Sequence, residues 1–171
     1  TYAVRANING LNYIGEKNSV YSYDLTVISN TDEEPVGTIN IDWAILGASS
    51  YLSGYSITNN GKKIEIATGD ELPYPTGELM IRATITNHEA SQDVVPSIPS
   101  TIVIEKPVLL LNERVILTKD TNPVVFEICK EQGWVSDEFV MTREEAEAIT
   151  DIGTAFANVE SDTEWSFEEF K

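Results

Sequence analysis

Residues 39–45, INIDWAI, alternate apolar with other side chains, so Ile39, Ile41, Trp43 and Ile45 share one face of an extended strand and Asp42 takes the other. The same period of two recurs across residues 1–105. Tyr2, Val4, Ala6 and Ile8 make one such row, Tyr21, Tyr23, Leu25 and Val27 another, and Leu79, Ile81, Ala83 and Ile85 a further one, with Arg5, Asp24 and Arg82 on the opposite faces. Residues 55–58 run into Asn59-Asn60-Gly61, a turn sequence that tolerates positive φ, and return as residues 63–66, which reads as a hairpin. A last strand over 101–105 follows the proline-broken VVPSIPS at 94–100. It is expected to stop at Pro107, whose missing N–H interrupts a ladder. Roughly six or seven short strands separated by polar, Gly and Pro turns describe a β-sandwich, with Trp43 as its largest core side chain.

Charge narrows the range of partners. The chain carries 11 basic and 28 acidic residues, a net −17, which repels nucleic-acid phosphates and anionic lipid alike, so no nucleic acid is expected as a partner. Residues 1–107 hold 13 acids and 6 bases, whereas the shorter remainder holds 15 and 5. No apolar run reaches the ~18 residues a membrane span needs, so no direct membrane insertion is expected. Cys129 is the only cysteine, which rules out an intramolecular disulfide framework and a thiolate zinc site.

The residue types that carry chemistry are sparse. His88 is the single histidine, placed in TITNHEASQD after a strand, and reads as a solvated loop residue. Any Ser-His-Asp or Cys-His arrangement must recruit it, and no Gly-x-Ser-x-Gly elbow is present. Asp32, Glu33 and Glu34 read as a hairpin tip, and Glu144, Glu145 and Glu147 as a solvated helix start, not as a glycosidase pair. Neither a calcium-loop spacing nor a glycine-rich phosphate loop occurs. Tyr51, Tyr55 and Tyr74 lie near loops, where a ring either stacks on sugar or packs at a sheet edge with its hydroxyl in water; the second reading is preferred. The expectation is a non-enzyme with no catalytic residue, no metal and no cofactor.

After Pro107 the pattern changes. VLLLNERVILT at 108–118 is an apolar connection or strand, and Asn122-Pro123 then opens a helix of about ten residues that Gly133 closes. Val124 with Ile128, and Val125 with Cys129, give that helix one wide apolar side. Thr142 and Glu145 form a capping box, stapled by Met141 and Ala146, for a second helix expected over 142–156 with Ile149, Ile152 and Phe156 on one face. EWSFEEFK at 164–171 adds Trp165, Phe167 and Phe170.

Two resemblances give these patterns a setting. IDWAI, YSITNNG and GELMIRATITN, in that order within residues 2–105, resemble the bacterial immunoglobulin-like domains of group 2; the insertion DELPYP at 70–75 departs from the shortest members. Residues 109–171 are similar to the segment that leads into BspA-type leucine-rich repeats in surface proteins of gut bacteria and their phages, where a stretch like Phe167-Glu-Glu-Phe170 opens the first repeat. No complete repeat is present. Together the resemblances imply a mostly β chain: an immunoglobulin-like β-sandwich over 1–107, then a small α-helical (α+β) capping segment over 108–171 leading into a truncated repeat array. An array cannot cover its own end, so a cap would offer a repeat-docking face, here Ile149, Ile152, Phe156, Phe167 and Phe170. The implied role is structural and adhesive, in an extracellular protein on a virion exterior, as in a tail fibre, or on a bacterial cell surface as an adhesin. Its implied partners are protein or glycan ligands on a cell surface, or neighbouring virion proteins. The alternative is a carbohydrate-binding accessory domain of a secreted carbohydrate-active enzyme.

Overall fold

A computed structural model of the chain describes residues 4–29, 39–87 and 101–158. Tyr2, the Asp32–Glu34 tip, His88, the 94–100 stretch, Trp165, Phe167 and Phe170 lie outside the described residues. The chain forms two compact units, dividing between Leu111 and Asn112. It is mostly β: a sandwich followed by a small α+β segment.

Eight strands of the first unit are described: β1 (Val4–Asn9), β2 (Tyr13–Ile14), β3 (Val20–Ser29), β4 (Ile39–Gly47), β5 (Leu52–Thr58), β6 (Lys63–Thr68), β7 (Thr76–Asn87) and β8 (Thr101–Leu111). They make two four-stranded sheets, ordered β1-β3-β6-β5 and β2-β8-β7-β4. Lettered along the chain with β1 and β2 as the two halves of a split first strand, these are A-B-E-D and A′-G-F-C, the immunoglobulin order with that first strand crossing between sheets. The parallel pairing of β2 with β8 is what such a crossing produces, since every other described pair in the sandwich is antiparallel.

The period-two rows face inward. Tyr23, Leu25 and Val27 on β3, Ile64 and Ile66 on β6, and Leu79, Ile81, Ala83 and Ile85 on β7 form one buried cluster with Ile8, Ile14, Val108 and Leu110. Tyr23 is the largest fully buried side chain among the described residues, and its hydroxyl donates to the Leu11 carbonyl at 2.7 Å, anchoring the crossing between β1 and β2. Trp43 is a correction to expectation. It packs against the core from β4, the last strand of its sheet among the described residues, and is only partly buried, opposite the small Ala83, with Nε1 donating to the Gly61 carbonyl at 2.7 Å. Gly61 ends the turn between β5 and β6, where Asn59 and Asn60 both adopt φ +53° as that turn sequence allows. On the outer faces Arg82 pairs with Glu105 directly opposite at 2.8 Å, and Lys63 with Asp24 at 3.9 Å; both pairs are open to solvent on at least one partner and contribute little to stability.

Pro107 does not end the last strand. β8 continues to Leu111 in unbroken register with β7, and the Leu109 amide donates to the Asn12 carbonyl on the side away from β7. Pro107 has the same parity, so its nitrogen also points away from β7, at a level that the two-residue β2 does not reach. A proline is tolerated where no donor is required.

The second unit begins with a tight turn in which Asn112 Oδ1 accepts from the Arg114 amide at 3.0 Å. β9 (Val115–Thr118) pairs antiparallel with β10 (Val140–Thr142), and between them runs α1 (Pro123–Glu131). Asn122 is its N-cap and Pro123 its first residue, as the sequence indicates. Gly133 takes φ +76°, its amide donating to the Lys130 carbonyl while that of Trp134 donates to the Cys129 carbonyl, so two carbonyls of the last turn gain partners beyond the helix. Val125, Phe126 and Cys129 pack with Leu117, Val135 and Met141 as a separate small core.

Candidate functional site

The segment expected to dock a following repeat starts at α2 (Arg143–Glu147). Its N-terminus is fixed as the sequence indicates. Glu145 N–H donates to Thr142 Oγ1 at 3.3 Å, while Glu145 Oε1 accepts the Thr142 amide at 3.0 Å and hydroxyl at 3.2 Å. Glu145 also reaches back along the chain, where Oε2 accepts the Ser136 amide at 2.7 Å and hydroxyl at 2.9 Å. Burial pushes its pKa up, yet the hydrogen bonds from Thr142 and Ser136 outweigh it, holding the carboxyl below its usual range. Glu145 is therefore a structural tie between α2 and the chain after α1. Glu144 instead contacts Arg114 at the surface.

The helix itself is a correction: it ends at Glu147, with Ala148 as C-cap, and does not run to 156. Asp151 Oδ1 accepts the Gly153 amide at 2.8 Å, and Gly153 takes φ +50°. This local bond offers the backbone an alternative to a helical ladder, and the neighbouring β-branched Ile149, Thr150 and Ile152 lose side-chain rotamer freedom in a helix, which lowers their preference for one. Ile149, Ile152 and Phe156 consequently do not share a helix face.

Two of the three still meet the core of their unit. Ile149 packs on it together with Ala146, and Phe156 does so with its ring 6.4 Å from that of Trp134, tilted by 37°. Ile152 is 54% exposed. Phe167 and Phe170 lie outside the described residues. Phe139, which pattern reading passed over, is 60% exposed, on a turn where Asp137 Oδ1 accepts its amide at 2.8 Å. Its signal was its place next to Val140 and Met141, both fully buried, in a strand only three residues long.

Elsewhere Cys129 is buried on α1, and burial pushes its thiol up to about 11, so it stays protonated at neutral pH. Among the described residues no three His, Cys, Asp or Glu side chains gather as metal ligands would, and no helix is long and apolar enough to cross a membrane. Of the tyrosines, Tyr51 packs against the sandwich core, whereas Tyr55 on β5 and Tyr74 before β7 are 57% and 46% exposed. No family model, curated protein or solved structure matches the chain.

Proposed function

We propose that this chain is a non-catalytic display and adhesion segment of an extracellular modular protein, carried on the exterior of a phage virion or on a bacterial cell surface. One observation carries the reading: an immunoglobulin-ordered sandwich with its own core is followed directly by a second, separately packed unit, an arrangement suited to stringing modules along a chain. The acidic surface fits exposure to solvent better than contact with phosphate or anionic lipid. The test is gold-labelled antibody raised against the chain and applied to intact virions and to intact cells. Labelling of virions selects the phage setting and labelling of cells the adhesin, while antigen detected only after lysis rejects surface display.

Within this reading the second unit caps a repeat array, with Ile149, Ile152 and Phe156 beneath the first repeat. The exposure of Ile152 and half-burial of the other two support that role, since apolar area covered by a repeat contributes roughly 25 cal/mol per Å². Amides of residues 142–156 should exchange more slowly when two or three repeats follow than in the chain alone. Equal protection in both would mean that this segment caps nothing.

A further inference from the structure

Strand β5 is the last strand of its sheet among the described residues, with β6 on one side only, so alternate N–H and C=O groups point away from the sheet. Tyr55 lies opposite the buried Ile66, and Ile57 opposite the buried Ile64, which puts both on the core side of the sheet. Yet they are 57% and 45% exposed, forming an apolar lip at the margin of the sandwich.

The sequence around this edge is unusual for the chain. Charged residues make up 23% of the whole, but residues 43–61, from Trp43 through the turn at Gly61, contain no Asp, Glu, Lys or Arg. β5 itself, LSGYSIT, lacks the lysine or proline that commonly protects an edge from pairing. Its one irregularity, between Leu52 and Gly54, leaves Gly54–Thr58 in unbroken register with β6.

We infer that β5 is a homodimer edge, pairing antiparallel with β5 of a second copy about a two-fold axis. Such a contact is self-complementary, because each copy presents the same backbone groups and needs no matching surface elsewhere. Charge favours the same occupant and place. Two chains of −17 repel wherever their acidic surfaces meet, and this uncharged strip lets them approach without opposing like charges in the sheet. Pairing also brings the lips of Tyr55 and Ile57 together and removes them from water. The inference rests on the sandwich alone and is independent of the setting proposed above.

Sedimentation analysis of the full chain over a wide concentration range tests it, with Tyr55→Lys and Ile57→Lys as edge variants and Val103→Lys, at an exposed side chain of β8, as a control of identical charge change. The parent is expected to dimerise, more tightly at high salt, where repulsion between the copies is screened. Each edge lysine should weaken the dimer about tenfold or more even though it lowers the net negative charge, and Val103→Lys should leave it unchanged. Far-UV circular dichroism of each variant establishes that the sandwich is intact. A parent that stays monomeric at all concentrations and salts overturns the inference, as does a dimer indifferent to both edge variants or weakened equally by the control.

Discussion

Tyr23→Ala should destabilise the sandwich by ~3–5 kcal/mol, the range for removing a fully buried aromatic ring. The ring fills the centre of β3, directly opposite Ile64, and lies so close to Gly10 that a Cβ there would stand 2.3 Å from Cδ1. The hydroxyl has a separable part. Tyr23→Phe keeps the ring but deprives the Leu11 carbonyl of its donor, and should cost ~1–2 kcal/mol. Burial, and then the neighbouring Tyr21, push the pKa of Tyr23 up to about 12. The folded state thus holds a proton that the unfolded state releases near the ordinary value of about 10. The contribution is complete below pH ~10 and is lost as pH rises towards 12, a window that should flatten in Tyr23→Phe. Denaturant unfolding of the three proteins measures all of this, and a Tyr23→Ala midpoint implying less than ~1 kcal/mol of loss would remove Tyr23 from the centre of the core.

That Tyr23 outranks Trp43 shows where pattern reading reaches its limit. A period of two assigns each side chain to a face, and it assigned Tyr23, Ile81 and Trp43 correctly to the inner one. Depth on that face depends on which strands end up as neighbours. β3 and β7 are interior strands, while β4 is the last of its sheet among the described residues, so Trp43 stays partly exposed and satisfies its indole through the carbonyl of Gly61, eighteen positions away in sequence. Pro107 illustrates the same limit. The missing donor was legible, but whether it mattered depended on the side of β8 to which the nitrogen points, and that is set by pairing with β7 and Asn12.

In the second unit the sequence was informative wherever the deciding chemistry is local. Asn122-Pro123, Gly133 and the Thr142–Glu145 box act within four residues of themselves, so sequence alone located them. The end of α2 is decided by a competition between a helical ladder and the Asp151–Gly153 turn, and apolar spacing at 149, 152 and 156 imitated a helix face that the backbone does not form. The candidate docking face was legible only as a set of apolar residues. Its geometry, two members on the core and one in solvent, comes from that turn.

Phe126→Ala should unfold the second unit and leave the sandwich folded. Phe126 is fully buried among Leu117, Val125, Cys129, Val135 and Met141, and its truncation carries the same cost of ~3–5 kcal/mol. The decisive quantity is what remains. A unit spanning Asn112–Lys171, at roughly 0.05–0.15 kcal/mol per residue, has only ~3–9 kcal/mol in all, so one ring accounts for much of it. Cys129, the sole cysteine, reports the outcome directly: its burial and raised pKa keep it slow towards a thiol reagent in the parent, and in Phe126→Ala it should react at a rate close to that of the denatured chain. Phe126→Leu, which retains much of the volume, should stay protected. Hydrogen exchange on the same variant adds the spatial answer, with loss of protection across α1 and β9 and none across β3, β6 and β7. If the sandwich strands lost protection in parallel, the two cores would be one cooperative body; if Cys129 stayed unreactive, Phe126 would not be holding its unit together.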